Sequence, residues 1–180
     1  MSPKMLIPSS SVLRRVVKHQ YINKESQMMT WQDLHHSELT VAQLYALLKL
    51  RSAVFVVEQR CVYQDIDGDD LVGENRHLLG WRDGELVAYA RILKSEEEFE
   101  PVVIGRVIVS PSVRGEKLGY QLMEQALASC RQNWPQKAIY LGAQAHLQKF
   151  YASFGFVPVT EVYDEDGIAH IGMARDITTH

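Results

Sequence analysis

The sequence predicts an α/β (α+β) fold, in which a single sheet carries helices on its faces. Apolar residues at helical spacing mark two amphipathic helices, one after residue 40 and one after residue 116. Apolar, β-friendly runs surround them, and two pairs of these runs are joined by segments containing Asp-Gly, which favours antiparallel hairpins. With 180 residues, of which 46% are hydrophobic, the chain is long enough for one core and short for two domains.

The first 28 residues form a basic segment of different composition. They carry a net charge of +4, against −3 for the whole chain, so the remaining residues carry −7. Serines, two prolines and the absence of sustained periodicity predict a disordered extension over residues 1–28, followed by a single domain over residues 29–180. Two interpretations stay open for the extension: a native start at Met28 or Met29, or a basic targeting arm.

The order of elements follows from the residues that separate the apolar runs. Thr40 and Gln43 predict a capping box that starts the first helix, which runs toward Glu58. Trp134 and Pro135 end the second helix, and a short helical segment follows from about residue 145. The expected strands, in chain order, are residues 77–81, 86–93, 102–109, 139–143, 159–163 and 168–173.

A basic, glycine-bearing turn joins the strand at 102–109 to the second helix. Because this helix is expected to begin near Glu116, its unpaired N–H groups and the positive end of its dipole point back at the turn, which favours a bound phosphate. Arg114 and Lys117 add side-chain charge at the same place. An ordinary strand-to-helix connection is the alternative interpretation.

Two motifs in this order resemble the GNAT acetyltransferase superfamily. The first, a strand end followed by a glycine-bearing helix start, comprises Val109, Pro111, Arg114, Gly115 and Gly119, with Lys117 where the family usually has its middle glycine. The second motif comprises Phe150, Tyr151, Gly155 and Phe156. The runs at 54–59, 63–70 and 76–78, together with Ala90 and Arg91, are similar to the ElaA-like branch of that superfamily.

The resemblance implies a GNAT fold: a mixed, mostly antiparallel central sheet with a splayed strand pair and helices on both faces. It also implies acetyl-coenzyme A as co-substrate and no metal. The backbone of Val107, Ile108 and Val109 would pair with the pantetheine arm, although the same residues suit an ordinary core strand. The diphosphate would lie on the turn and helix start, at Arg114, Gly115, Glu116, Lys117, Leu118 and Gly119.

Catalysis in such a protein requires a neutral amine to attack the thioester. A lysine-like amine with a pKa near 10.4 is protonated at pH 7, and its neutral form is disfavoured by roughly 4.6 kcal/mol. Glu58, His77 and His146 are candidates for the base that removes this proton, with a structural role for each, or a water chain, as the alternative. The resemblance implies that Tyr151 protonates the departing thiolate, with aromatic packing as the alternative.

An acidic run precedes the first predicted strand, with aspartates at Asp65, Asp67, Asp69 and Asp70. Gly68 and Arg76 stand where an EF-hand loop requires other residues, so calcium binding of that type is not expected. Two interpretations remain: an acidic mouth that attracts a cationic amine, or a solvated turn.

The leading functional interpretation is an acetyl-coenzyme A dependent N-acetyltransferase acting on a primary amine of a small molecule or peptide. The alternative is a non-catalytic acyl-coenzyme A sensor of the same fold that acts through a protein partner. No stretch approaches the roughly 20 apolar residues of a membrane span, and Cys61 and Cys130 lack metal-ligand spacing. We expect a cytoplasmic protein with no nucleic-acid or membrane partner, and leave homodimerisation open.

Overall fold

The computed structural model describes residues 28–176, so the expectation for residues 1–27 lies outside it. The strands, in chain order, are β1 Thr30–His35, β2 Arg76–Arg82, β3 Glu85–Lys94, β4 Val102–Val109, β5 Ile139–Gln144, β6 Val157–Glu165 and β7 Ile168–Arg175. They form one sheet in the order β1-β2-β3-β4-β5-β7-β6. Neighbouring strands are antiparallel except for β4 and β5, which are parallel. The predicted mixed, mostly antiparallel sheet is confirmed.

The helices are α1 Val41–Arg51, which continues as a π-helical segment Ser52–Glu58, then α2 Leu118–Asn133 and α3 Gln148–Ala152. Short 3-10 segments occur at His36–Glu38, Pro111–Val113 and Ala145–Leu147. The capping box is present: the Gln43 N–H donates to Thr40 Oγ1 at 3.2 Å and the Thr40 N–H donates to Gln43 Oε1 at 2.9 Å. None of the described helices combines the length and apolar character needed to cross a membrane.

The central strands bury side chains on both faces of the sheet, since successive strand residues point to opposite sides. Leu78 of β2 belongs to a buried cluster with Leu122 of α2. The next residue, Leu79, belongs to a second cluster with Tyr89 of β3 and Leu47 of α1. These side chains are at most 1% exposed, so the expectation of helices on both faces is confirmed.

Both predicted hairpins are present and close through tight two-residue turns. The first turn has φ of +53° at Asp83 and +77° at Gly84, and the second has +51° at Asp166 and +81° at Gly167. Positive φ at both central residues is the geometry that Asp-Gly favours in a type I′ turn. Strand β6 extends closer to the second turn than the sequence predicts, to Glu165, whereas β7 begins at Ile168 as predicted.

The two central parallel strands separate after a short paired stretch. β4 and β5 share only the pairs Val102 with Ile139 and Val103 with Tyr140, although each strand continues for several residues. Arg106 interrupts β4 with a φ of +52°, and the register between β3 and β4 shifts at the same level. The strands therefore open a V-shaped gap, and the expected splayed pair is confirmed.

Two features differ from the sequence prediction. Strand β1 was not predicted, since it depends on distant contacts: Trp31 packs so closely on Gly80 that a Cβ there would lie 2.6 Å from the indole ring. Helix α2 begins at Leu118 rather than near Glu116, because Lys117 adopts a left-handed conformation with φ of +60°.

Candidate active site

A cavity of about 800 Å³ occupies the gap between β4 and β5. One wall is β4 from Val103 to Val109, and the opposite wall includes Tyr140 to Gly142 and Gln144 of β5. The π-helical segment contributes Val54, Phe55 and Glu58, followed by Gln59, Cys61 and Tyr63. The remaining lining residues come from the start of α2, the α3 region and the hairpin between β6 and β7. The cavity therefore joins elements from most of the domain.

The wall formed by β4 offers main-chain groups to the cavity. Val107, Ile108 and Val109 all line it, and Ile108 and Val109 pair with β3 on the other edge of the strand. Pairing with β5 has already ended at Val103. The edge of β4 that faces the gap can therefore hydrogen-bond an extended ligand, as in the addition of a strand to an open sheet edge.

The predicted phosphate turn lies at one end of the cavity, where Arg114 and Gly119 line it. Gly115 has a φ of +89° and Lys117 a φ of +60°, so the backbone reverses twice before α2 begins. A glycine adopts this conformation freely, whereas a left-handed lysine costs roughly 1–2 kcal/mol. The chain thus keeps the backbone shape of the turn despite the missing middle glycine, and α2 presents its unpaired N–H groups there.

Charges around the turn are arranged in pairs. Glu116 accepts a hydrogen bond from Arg82 Nη1 at 2.7 Å, which offsets its negative charge. Arg114 forms a two-pronged ion pair with Glu58, in which Nη2 donates to Oε2 at 3.0 Å and Nη1 donates to Oε1. Arg114 Nε also donates to the Val109 carbonyl at 3.1 Å. The structure therefore brings together a predicted phosphate ligand and a predicted catalytic base.

Tyr151 lies on α3, lines the cavity and is 6% exposed. Its ring packs edge-on against Phe150 and Phe156, with centroids 5.0 Å and 6.4 Å away. Burial raises the pKa of Tyr151 to about 12. The phenol therefore keeps its proton at neutral pH and can donate it inside the cavity.

The histidine candidates occupy different environments. His77 is fully buried and does not line the cavity, and its Nδ1 and Nε2 contact the Tyr89 hydroxyl at 2.7 Å and the Asp70 carbonyl at 2.8 Å. Burial lowers the pKa of the His77 imidazole. The structure does not bring His77 to the site, which favours the structural role. His146 lines the cavity from the 3-10 segment Ala145–Leu147 and is exposed.

The acidic run belongs to a buried ion-pair network with three arginines. The close pairs include Arg51 Nε with Asp65 at 2.8 Å, Arg91 Nη2 with Asp67 at 2.7 Å, Arg91 Nη1 with Asp70 at 2.9 Å and Arg106 Nε with Asp65 at 2.7 Å. Arg91 holds the pKa of Asp67 well below its usual range. The acidic-mouth interpretation is therefore wrong, because arginines from α1, β3 and β4 neutralise Asp65, Asp67 and Asp70, and none of the four aspartates lines the cavity. Among the described residues, no cluster of three or more potential metal ligands is present.

The last hairpin forms one side of the cavity, and none of its lining residues was predicted from the sequence. Tyr163, Glu165, Asp166 and His170 line it. His170 is paired in register with Gln144 of β5 and with Tyr163 of β6. Strand alternation predicts only that His170 and Gly172 share a face, and identifying that face as a cavity wall requires the pairing of β5, β7 and β6.

Glycines shape the same wall. A Cβ at Gly172 would lie 2.5 Å from the Tyr140 hydroxyl, and a Cβ at Gly142 would lie 3.1 Å from the Tyr163 hydroxyl. Burial and the neighbouring Tyr140 raise the pKa of Tyr163. The absence of side chains at these glycines therefore gives the tyrosine hydroxyls room to lie against the sheet.

Comparisons with known proteins agree with this geometry. A family model described as an acetyltransferase (GNAT) domain matches residues 35–177. The chain is 73% identical to protein ElaA of Escherichia coli K12 over 150 residues, covering 83% of this chain and 98% of ElaA. The crystal structure of Escherichia coli ElaA covers 83% of this chain and 100% of its own, with a TM-score of 0.81.

Two other solved structures extend the comparison. An acyl-CoA N-acyltransferase from Pseudomonas aeruginosa is 55% identical, with a TM-score of 0.79, and covers 82% of this chain and 99% of its own. An aminoglycoside 6'-N-acetyltransferase complexed with coenzyme A is 15% identical, covers 83% of this chain and 98% of its own, and shares the fold with a TM-score of 0.62. Sequence, motif order and fold together show that the chain belongs to the GNAT acetyltransferase family.

Proposed function

We propose that this protein transfers the acetyl group of acetyl-coenzyme A to a primary amine of a small molecule or peptide, by direct attack of the amine on the thioester. The observation that carries the proposal is the cavity itself. The open edge of β4, the start of α2 and the buried Tyr151 all face one space. The cavity can therefore bind and position a thioester and protonate its leaving thiolate.

The residues present fit coenzyme A. The unpaired edge of β4 at Val107, Ile108 and Val109 suits the amide groups of the pantetheine arm. The turn from Arg114 to Gly119 suits the diphosphate, because backbone N–H groups at the start of α2 lie there and Arg114 lines this end of the cavity. A Cβ at Gly119 would make only an ordinary contact with Phe150 at 3.5 Å, so internal packing does not require this glycine. Its bare backbone instead leaves the cavity end open to a ligand.

Tyr151 is the proposed general acid. When the C–N bond forms and the C–S bond breaks, the departing thiolate needs a proton, and the Tyr151 phenol carries one with its pKa raised to about 12. No hydrogen bond with other described residues ties up the Tyr151 hydroxyl. Tyr151→Phe keeps the ring and its packing, so we expect turnover to fall while the Kd for coenzyme A changes little.

The amine needs a proton acceptor in the cavity. Glu58 lines the cavity, but both of its carboxylate oxygens accept hydrogen bonds from Arg114. His146 lines the cavity with no hydrogen bond from the described residues to orient its ring. Both remain predictions for the proton acceptor, and His77 is left out because it is fully buried outside the cavity. For cellular location, the two buried free cysteines are compatible with the proposed cytoplasmic setting.

The test has two stages. Thermal unfolding is measured with and without acetyl-coenzyme A, because ligand at 100 times its Kd adds about 2.7 kcal/mol of stability. A panel of primary amines, including polyamines, amino sugars and lysine-containing peptides, is then screened by release of free thiol. Stabilisation with turnover supports the enzyme, and Tyr151→Phe should slow that turnover.

Three other results would change the functional conclusion. Stabilisation without turnover of any amine favours the acyl-coenzyme A sensor. No stabilisation at millimolar ligand, in a folded sample, contradicts both functions and indicates that Lys117 has disabled the turn. Unchanged turnover in Tyr151→Phe removes Tyr151 from the mechanism.

A further inference from the structure

We propose that His170 is the general base of this transfer, with its Nε2 accepting the proton that the acceptor ammonium must lose. The inference rests on the proposed function and deepens it. His170 lies near the middle of the hairpin wall that the sequence analysis missed, and its side chain is 14% exposed. A base in this position acts from the wall opposite β4, across the gap in which the thioester would lie.

The hydrogen bond of the ring defines which nitrogen is available. His170 Nδ1 lies 2.8 Å from the Ile168 carbonyl oxygen. Because a carbonyl only accepts hydrogen bonds, Nδ1 must carry a proton, and in the neutral ring the lone pair is then on Nε2. A neutral imidazole with a fixed Nδ1–H and a free Nε2 is the form in which histidine acts as a base.

The neighbours of the ring hold it and favour the state it reaches after accepting a proton. Tyr163 of β6 stacks on the imidazole, with centroids 6.0 Å apart and planes inclined by 27°. Glu165 Oε2 lies 3.8 Å from Nε2, and the Glu165 side chain is 55% exposed. An imidazolium is therefore stabilised by a carboxylate that can pass the proton on to solvent.

Other titratable groups face this part of the cavity. Asp166 in the hairpin turn and Cys61 from the opposite wall both line it, and burial with the nearby Asp166 and Glu165 raises the pKa of the Cys61 thiol. Tyr140 of β5 contributes a phenol to the cavity lining, near Tyr163. Among these groups, the Glu165 carboxylate is the one in contact with the His170 ring, through Nε2.

The other histidines of the described residues do not combine these features. His77 has both nitrogens engaged in the core. His35 and His36 contact the Gly73 carbonyl through Nε2, outside the cavity. His146 lines the cavity without a hydrogen bond that would fix its tautomer. Among the described residues, His170 alone lines the cavity with an oriented ring.

The acetyl transfer moves protons at the amine, at His170 and at Tyr151. His170 Nε2 takes one proton from the ammonium, which leaves a lone pair on the amine nitrogen. That nitrogen forms a C–N bond to the thioester carbonyl carbon, and the C–S bond breaks as the nitrogen loses its second proton to solvent. Tyr151 gives its proton to the thiolate and regains one from solvent, and Glu165 carries the proton of His170 outward. The products are an amide and free coenzyme A.

The first experiment uses His170→Gln and Glu165→Gln in the full chain, with His36→Gln as the matched control. His36 also contacts a backbone carbonyl, but it lies outside the cavity. A general base contributes roughly 10²–10⁴-fold to rate, so we expect kcat/KM for an amine from the panel to fall at least about 100-fold in His170→Gln, with the Kd for coenzyme A unchanged. The pH profile should lose its acidic limb in His170→Gln, and Glu165→Gln should lower kcat because it removes the group that carries the proton of His170 outward. His36→Gln should match the parent.

A His170→Gln variant that keeps the acidic limb and the rate of the parent overturns the assignment. A fall in coenzyme A affinity of the same size as the fall in kcat/KM also overturns it, because that pattern indicates structural damage.

A second measurement does not depend on the acceptor. Nitrogen-15 NMR of the imidazole rings, assigned by loss of the His170 signals in His170→Gln, identifies the neutral tautomer. An Nδ1–H ring supports the proposal, and an Nε2–H ring refutes it. If coenzyme A binds but no amine is turned over, the proposed enzymatic function fails, whereas the NMR result still decides the state of His170.

Discussion

Neutralising Glu58 should tighten the binding of coenzyme A, because Glu58 and the diphosphate compete for Arg114. In the structure the Arg114 guanidinium is held by both carboxylate oxygens of Glu58 and by the Val109 carbonyl. A bound diphosphate must replace at least part of this pairing. Glu58→Gln removes the competing charge and keeps the shape of the side chain.

The size of the effect follows from the exposure of the pair. The Arg114 and Glu58 side chains are 45% and 38% exposed, so water screens much of their attraction. Exposed ion pairs contribute about 0.2–1 kcal/mol, and two-pronged geometry favours the upper end. A gain of about 1 kcal/mol corresponds to a roughly fivefold lower Kd.

The assay is calorimetric titration of coenzyme A into the parent, Glu58→Gln and Glu98→Gln proteins over a range of salt concentrations. Glu98→Gln is the matched control, because it changes the net charge equally from an exposed position outside the cavity. The gain in affinity should shrink as the salt concentration rises. It should disappear in the Arg114→Ala background, because no guanidinium is then left for Glu58 to hold. Equal or weaker binding by Glu58→Gln, or a gain that persists without Arg114, would refute the reasoning.

Three further predictions concern stability and organisation. Arg51→Met should destabilise the fold by roughly 3 kcal/mol in urea denaturation, because it leaves buried Asp65 and Asp70 short of a partner; a change below about 1 kcal/mol would show that the other arginines compensate. Pairing with Arg91 lowers the folded-state pKa of Asp67. The stability that Asp67 contributes to the fold is therefore complete above a pH of about 4 and is lost as the pH falls further toward the folded-state pKa. Asp67→Asn should therefore lower Tm at pH 7 and flatten the loss of stability in acid, and an unchanged acid profile would contradict this. Removal of residues 1–27 should leave coenzyme A binding intact, and a truncated chain that fails to fold or bind would show that the extension is part of the domain.

Much of the fold could be predicted because its signals are local. Asp83 with Gly84, and Asp166 with Gly167, specify tight turns through their own backbone preferences. The capping box at Thr40 depends on a residue three positions away. By contrast, β1 exists through the contact of Trp31 with Gly80, about fifty positions along the chain, and no local pattern announces it.

The candidate site was predictable only in part. The predicted phosphate turn and Tyr151 lie in motifs of consecutive residues, and the structure places Arg114, Gly119 and Tyr151 in the lining of one cavity. The acidic run was misinterpreted, because the arginines that neutralise it come from α1, β3 and β4. His77 looks like any histidine at a strand start, and only its contacts with the Tyr89 hydroxyl and the Asp70 carbonyl show that both ring nitrogens are in use.

The sequence by itself determined the class of fold through periodicity and turn chemistry, which act over short distances along the chain. The splayed strand and the family followed from the resemblance of two ordered motifs, and the turn proposed to hold coenzyme A lies in the first of them. The tertiary structure alone decided which charged and titratable groups meet: Arg114 with Glu58, the aspartates with their arginines, and His170 with the cavity. Ion pairing and the availability of a ring nitrogen depend on contacts over a few ångströms between distant segments, and only the folded chain brings those segments together.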